Sequence, residues 1–336
     1  MKIFLPFSGT GPSFMGVGTF AAKFKNGMEP AGHEVFFEYR SDYDVLFMIV
    51  QAPFQYLTEA KRRKKPIVQR LDGVFYWSVS GWRYPLLNMK ARIIRHFFAD
   101  FTIYQSEYSK YSAEKFLGKK RNDPSALIYN GVDTRIFSPY GEKAPIRDNP
   151  DQAIFFTVSG FRREDQILPI LKAVKIYEQK FGGNFKLLVA GPFGKKVEGI
   201  PRKAHDYKNV IFLGKMDNKD IPLYERAADV FVFTHLNPPC PNNVIEALAS
   251  GLPICGIADG AMPELIENGK TGLLLETRGD AFWKQRAFDA RSFAENIHTL
   301  VKEKSRYSTA CRSIAEEKFS LDTMIKQYLH VFESLV

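Results

Sequence analysis

The sequence predicts an α/β protein built from two doubly wound parallel sheets. Three observations carry that prediction. Short apolar runs alternate with longer amphipathic stretches from end to end, the series stops and restarts near residue 150, and the stretch between the two series is polar and rich in proline and glycine. Strands buried on both faces read as continuous apolar runs, and helices in alternation with them supply the crossover connections that parallel pairing needs.

In the first series "KIFLPF", "EVFFEY", "VLFMIV", "PIVQRL", "FTIYQS" and "ALIYN" have the length and β-branched or aromatic content of strands, with helical segments such as "SKYSAEKFLG" between them. The second series repeats the pattern in "AIFFTVSG", "FKLLVAG", "VIFLG", "VFVFTH", "PICG" and "GLLLE", with "ILPILKAVKIYEQKF" as one of its helices. The joint is expected in "SPYGEKAPIRDNPDQ", residues 138–152, giving domains of residues 1–145 and 146–320. The tail "FSLDTMIKQYLHVFESLV" has leucine and aromatic positions at helical spacing and forms a closing helix over 321–336.

Composition narrows the function. A chain of 336 residues suits two domains of ordinary size. Its three cysteines, Cys240, Cys255 and Cys311, form no Cys-x-x-Cys pair, which argues against a disulfide framework or a structural zinc site and fits a reducing compartment. The apolar run at the N-terminus is too short for a signal peptide, and the longest apolar run, "VLFMIV", is far too short to span a bilayer. A soluble, cytoplasmic protein is expected. The formal charge of +10 calls for an anionic partner. Five consecutive basic residues, Lys61–Lys65, read either as a solvated helix end or as a peripheral contact with a membrane surface; nucleic acid is the less favoured partner.

In open parallel sheets ligands bind beyond the carboxyl ends of the strands, where helix N-termini present free N–H groups, so the cleft between two such domains is the expected site. "GTGPSFMGVGTF" follows the first strand with glycines Gly9, Gly11, Gly16 and Gly18, as a phosphate-facing loop or a plain turn. "TVSGFRRED" follows the first strand of the second series, with Gly160 opening a turn and Arg162 and Arg163 placed to meet an anion. In "NPPCPNNVIEALASGLPICG" three prolines and two asparagines introduce a helix that Gly251 and Pro253 stop. Asn242 or Asn243 is the expected cap.

Taken with "YNGVDTRIFSP" and "VIEALASGLPICGIADGAMPELIENGKTGLLLE", these segments resemble the retaining glycosyltransferases of family four over nearly the whole chain, most strongly from Val210 to Glu276. The resemblance implies the GT-B fold of two facing Rossmann-like domains, with a last helix that crosses back onto the first. It implies transfer of a hexose from a nucleoside-diphosphate sugar to a glycan, lipid or other hydroxyl acceptor, with no cofactor and no metal. Glu246 matches the family's glutamate that bonds the ribose hydroxyls of the donor, an acceptor-only group suited to a vicinal diol. The partner glutamate expected eight residues earlier is replaced by Pro238, and Pro239, Cys240 and Pro241 replace the turn that follows it. Proline brings no N–H, so Cys240, Asn242 and Asn243 are left to meet the sugar or diphosphate. Arg162, then Arg163, is assigned to the diphosphate, with Gly16 and Gly18 meeting it from the other domain.

Arg70 and Asp72 in "VQRLDGVFYW" fall at a strand end where the family often uses a histidine, and they become candidates for orienting donor or acceptor. His235 ends the strand before the proline-rich stretch and is a candidate lining residue. Asp42 and Asp44 in "SDYD" read as a polar turn, not a metal site, and the aromatics Phe75, Tyr76, Trp77 and Trp82 as a satellite core in preference to a sugar-stacking or membrane-contacting loop. The rival classes are a DNA-modifying glycosyltransferase, which the charge permits, and a catalytically silent GT-B binder, which the proline at position 238 suggests.

Overall fold

The computed structural model describes residues 1–7, 16–202, 207–284 and 288–336 of the chain. The chain divides into two units, one of Met1–Gly131, Phe282–Lys284 and Leu321–Val336, the other of Val132–Ala281 and Gln285–Ser320.

The first unit runs β1 (Lys2–Phe4), α1 (Gly16–Met28), β2 (Glu34–Phe36), β3 (Val45–Ile49), α2 (Phe54–Arg62), β4 (Ile67–Leu71), α3 (Trp77–Ser80), α4 (Tyr84–Phe97), β5 (Phe101–Tyr104), α5 (Glu107–Leu117) and β6 (Ser125–Leu127). The second runs β7 (Ala153–Val158), α6 (Leu168–Phe181), β8 (Phe185–Ala190), β9 (Val210–Gly214), α7 (Ile221–Ala227), β10 (Val230–Phe233), α8 (Asn242–Ala249), β11 (Ile254–Ala258), α9 (Met262–Leu265), β12 (Gly272–Glu276), α10 (Ala290–Lys302) and α11 (Lys304–Lys318). The last helix, α12 (Leu321–Glu333), returns to the first unit. Every apolar run read as a strand carries one, and the central runs are continuous because they are covered on both faces of the sheet: all six residues of β7 and all five of β4 are buried.

Both sheets have six parallel strands, in the orders β2-β1-β3-β4-β5-β6 and β12-β11-β10-β7-β8-β9. Each therefore reverses its winding once, between β1 and β3 in the first sheet and between β7 and β10 in the second. At such a reversal the crossover connections leave in opposite directions and open a crevice at the carboxyl ends of the two strands.

The tail helix completes the first core. Met324, Ile325, Tyr328, Val331 and Phe332 are buried with Phe20 and Phe24 of α1 and Phe47 of β3, and the Tyr328 ring sits 5.2 Å from that of Phe24 and 5.4 Å from that of Phe47. A Cβ on Gly27 would lie 2.5 Å from Ile325, so the close approach of α1 and α12 depends on that glycine.

The units part after Gly131, ahead of the polar stretch in which the sequence places the joint. The reason is local: this stretch is fastened to the second unit. Arg312 donates to the carbonyls of Phe137 (2.8 Å) and Thr134 (3.0 Å), the Ala144 N–H bonds the Leu223 carbonyl, and Arg147 pairs with Asp229 at 2.7 Å. Its composition signals exposure to water, which is not the same as a break in the structure. Among the described residues no helix is long and apolar enough to cross a membrane.

Candidate functional site

The residues singled out in the second half of the sequence collect at the winding reversal of the second sheet. Gly160 and Arg162 follow β7, His235 follows β10, and α8 begins just beyond, in the connection from β10 to β11. The loop after β7 is anchored by Phe161, which is fully buried and stacks on Phe193 at 4.8 Å between ring centroids. Backbone bonds run from Phe161 N–H to the Pro192 carbonyl and from Gly194 N–H to the Phe161 carbonyl. Gly191, at φ 117°, lets the two segments close: a Cβ there would lie 1.9 Å from the Ser159 carbonyl oxygen. With Phe161 turned inward, Arg162 is turned outward and exposed, and its guanidinium has no protein partner among the described residues. Arg163 is different. Its Nε and Nη2 each donate to the Asp165 carboxylate at 2.9 Å, so its charge is already matched.

Gln166, which no sequence motif singles out, organises this loop. Its Oε1 accepts the N–H groups of Arg162 (2.7 Å) and Arg163 (3.1 Å), and its Nε2 lies 3.2 Å from His235 Nδ1. An amide nitrogen only donates, so Nδ1 is the acceptor and the imidazole carries its proton on Nε2. The ring stacks on Phe233 with centroids 4.6 Å apart, and burial, aided by the nearby Arg163 charge, holds the His235 pKa down to about 3. His235 is thus neutral at neutral pH. The one signal for Gln166 is its position, three residues after Arg163 at the start of a turn, where glutamine commonly reaches back to a capping backbone.

The helix α8 is not capped as expected. Pro241 occupies the N-cap position, without a side-chain cap, and Asn242 is the first helical residue. Asn243 spends its side chain elsewhere: Nδ2 donates to the Val158 carbonyl at 2.6 Å, tying the helix to the end of β7, and Oδ1 accepts the Val244 N–H at 3.0 Å. Asn242 keeps its amide, which has no partner among the described residues. Glu246 follows one turn later and is buried.

The stretch before α8 is fixed from behind. Asn237, at φ 55°, donates its N–H to Asp259 at 2.6 Å, and Ala261 donates its own to the Pro238 carbonyl at 2.8 Å. Gly260 sits against Pro238 so closely that a Cβ would lie 2.3 Å from the proline ring. Pro238 and Cys240 are both buried, so what Cys240 offers is backbone.

In the first unit, Gly9 and Gly11 lie outside the described residues, and Gly16 and Gly18 fall in the first turn of α1. Arg70 is sealed at 1 % exposure. Its guanidinium lies over the Phe20 ring at 3.2 Å, donates from Nη2 to Asn130 at 2.7 Å, and forms an ion pair with Asp72, Nε to Oδ1 2.6 Å. Asp72, with its side chain 16 % exposed, is the member of the pair that reaches the surface. Burial pushes its carboxyl above the ordinary range against the pull of Arg70.

The remaining candidates resolve into surface chemistry. Asp42 pairs with Lys2 (2.6 Å) and Arg40 (2.9 Å), and Asp44 accepts the Lys2 N–H at 2.7 Å, which ties β1 to this turn. In the basic run, Lys61 pairs with Asp100, Arg62 and Arg63 both with Glu59, and Lys65 approaches Asp44 at 3.9 Å. Tyr76 packs into an aromatic cluster with Phe116 and Phe282, but Phe75, Trp77 and Trp82 point out to solvent, so most of the anticipated satellite core is not one.

Residues 142–314 match the family model described as "Glycosyl transferases group 1". Among curated proteins, N-acetyl-alpha-D-glucosaminyl L-malate synthase of Bacillus anthracis is 23% identical over 216 residues, 63% of this chain and 54% of that protein. The putative glycosyltransferase EpsF of Bacillus subtilis is 33% identical over 159 residues, 45% of this chain and 39% of the relative. The chain thus spans about half the length, or less, of the curated relatives it matches. Among solved structures, Anabaena HepE in complex with UDP-glucose superposes with a TM-score of 0.75 at 16% identity, covering 99% of both chains. Sucrose-phosphate synthase from Thermosynechococcus elongatus does so with a TM-score of 0.79 at 15% identity, covering 99% of this chain and 98% of that one. At these identities the likeness concerns the fold, GT-B.

Proposed function

The chain belongs to the group 1 glycosyl transferases, and from that membership we propose that it moves a hexose from a nucleoside-diphosphate sugar to a glycan, lipid or other hydroxyl acceptor, with retention of configuration and without a metal ion. The observation that carries the reading is the meeting, at the winding reversal of the second sheet, of an outward arginine without a protein partner among the described residues, the start of α8, and Glu246. Departure of a nucleoside diphosphate builds negative charge on the leaving oxygen. Arg162 and the free N–H groups at the start of α8 are suited to stabilise that charge, which is what a metal would otherwise supply. Glu246 takes the ribose hydroxyls, Asn242 and the backbone of Cys240 meet the sugar or diphosphate where Pro238 offers no acid, and neutral His235 lines the pocket without repelling a cationic or anionic group. In the first unit Arg70 is a positioning residue that holds Asp72 toward the acceptor. A uridine nucleotide is the first donor to test, because the solved relatives include complexes with UDP and UDP-glucose. A second reading, nucleotide binding without transfer, is favoured by one observation: the acid expected ahead of α8 is a buried proline packed on Gly260.

The test is calorimetric titration of UDP, GDP and ADP into the wild type, Glu246→Gln and Arg162→Ala, together with donor hydrolysis and transfer assays in excess chelator. A charged hydrogen bond contributes about 1.5–3 kcal/mol, so Glu246→Gln should weaken nucleotide binding roughly ten- to a hundredfold. Arg162→Ala should slow transfer more than it weakens binding, since the charge it meets grows in the transition state. Unchanged affinity in Glu246→Gln would overturn the donor assignment. Turnover abolished by chelation and restored by magnesium or manganese would overturn the metal-free mechanism. Binding without any hydrolysis or transfer would select the second reading.

A further inference from the structure

Residues 73–99 contain no aspartate or glutamate, yet they include Arg83, Lys90, Arg92 and Arg95. Arg95 is turned inward, to Tyr104 and Asp123. The others flank an unusual surface. The inner stripe of α4, formed by Asn88, Ala91, Ile94 and Arg95, is buried. A surface helix of a globular domain carries charge on the opposite stripe. Here that stripe carries Leu86, 62 % exposed, with Met89 and Ile93 following at helical spacing on the same face. Phe97 at the end of the helix is 77 % exposed, and Trp82 just before it 76 %. The turns ahead add Phe75, Trp77 and Val79, all exposed. Single exposed apolar residues are ordinary, whereas a contiguous set rimmed by one sign of charge marks an interaction surface.

The surface is held in shape from beneath. Asn88 bonds both the N–H (2.9 Å) and the carbonyl (2.8 Å) of Phe75, fixing that turn to α4. Ser78 donates its N–H to the Phe282 carbonyl at 2.8 Å, and the rings of Tyr84 and Phe116 pack against one another and against Trp283. These apolar groups therefore stand outward on a braced scaffold.

We propose that this face of the first unit docks on an anionic lipid bilayer, with Trp77, Trp82, Leu86 and Met89 entering the interfacial layer and Arg83, Lys90 and Arg92 meeting the head groups. The charge pattern selects this occupant: cations at the rim, no acid across twenty-seven residues (73–99), and tryptophans suited to the boundary between head groups and hydrocarbon. The basic run Lys61–Lys65 is the weaker contact, because four of its five charges already have acidic neighbours. The inference stands apart from the sugar-transfer reading and does not depend on it.

The chain supplies its own probe, since its three tryptophans, Trp77, Trp82 and Trp283, all belong to this region. The experiment is flotation of the full chain with vesicles of phosphatidylcholine, with and without phosphatidylglycerol, while tryptophan emission and iodide quenching are followed. Expected are recruitment to the anionic vesicles, a blue shift and loss of quenching. Trp82→Ser with Leu86→Ser should abolish recruitment without lowering the melting temperature, both residues being exposed. Arg83→Glu with Arg92→Glu should weaken it by more than about tenfold and flatten its salt dependence, since each cation near an anionic surface contributes about fivefold. Lys61→Gln with Lys64→Gln should leave it intact. Absence of recruitment in the wild type, or equal recruitment of the Trp82, Leu86 variant, would overturn the proposal. So would self-association of the wild type that this variant loses, which would make a second copy the occupant.

Discussion

At the scale of single residues, the contacts of Gln166 decide the state of its neighbour. By accepting two backbone N–H groups on one side of its amide it must present its nitrogen on the other, and that nitrogen fixes His235 in its neutral form. The consequence for stability follows from linkage. His235 titrates near 3 in the folded chain against an ordinary value of 6.5. Above 6.5 it is neutral in both states and contributes nothing to the pH dependence. As pH falls below 6.5 the unfolded chain takes up a proton that the folded chain refuses, and stability declines until the folded pKa is reached. The slope from one such group is at most about 1.4 kcal/mol per pH unit. Urea unfolding of the wild type and His235→Asn between neutral pH and pH ~5 should therefore show up to about 2 kcal/mol of acid destabilisation that the variant lacks. Parallel pH profiles for the two proteins would mean that His235 is protonated in the fold, and the tautomer assigned through Gln166 would be wrong.

At the scale of elements, the strands were legible because burial on both sheet faces writes itself into a sequence as an unbroken apolar run, whereas loops are shaped by residues distant in the chain. "VFVFTH" announces β10, but nothing in "NPPCPNN" announces that Asn243 reaches back to the carbonyl of Val158, or that Pro238 is packed on Gly260. The same limit applies to Arg162 and Arg163. Their identity made them candidates for an anion, while the choice between them rests on Asp165, whose carboxylate occupies one and leaves the other outward. Amphipathic reading also has a blind side: it identifies the inward stripe of α4, and it takes aromatics for core when, like Trp82, they stand in water. The loop before α8 gives the element-scale prediction. Gly260 has φ +60° and no room for a side chain, so Gly260→Ala combines backbone strain with a clash against Pro238. It should cost about 1–3 kcal/mol of stability and, because the turn holds Pro238 and Asn237, also lower nucleotide affinity. Denaturant midpoints and calorimetry on the same preparation measure both. A loss of stability with unaltered affinity would show that the 237–241 stretch keeps its shape without the turn behind it.

At the scale of the whole chain, the first unit is completed last. The backbone leaves it after Gly131, builds the second sheet, and comes back only at Leu321. What returns is part of the core, since Met324, Ile325, Tyr328, Val331 and Phe332 of α12 are buried in one cluster with residues of α1 and β3, where Phe20, Phe24 and Phe47 would otherwise face water. Fully burying a large apolar side chain contributes about 1.5–3 kcal/mol, so the five together contribute roughly 7–15 kcal/mol, as much as the entire net stability of a typical domain. A chain truncated after Ser320 should thus fail to hold its first sheet, while β7 to β12, whose core cluster includes no residue of α12 among the described residues, keep theirs. Hydrogen exchange separates the two outcomes: amides of β1, β3 and β4 should lose protection, and those of β7, β10 and β11 should retain it. Because the residues assigned to the nucleotide lie on the second unit, UDP should still protect the β7 and β10 amides in the truncated chain. Retained protection throughout the first sheet would show that its core closes without the helix, and the burial of Tyr328 and Phe332 would then be a consequence of folding, not a condition for it.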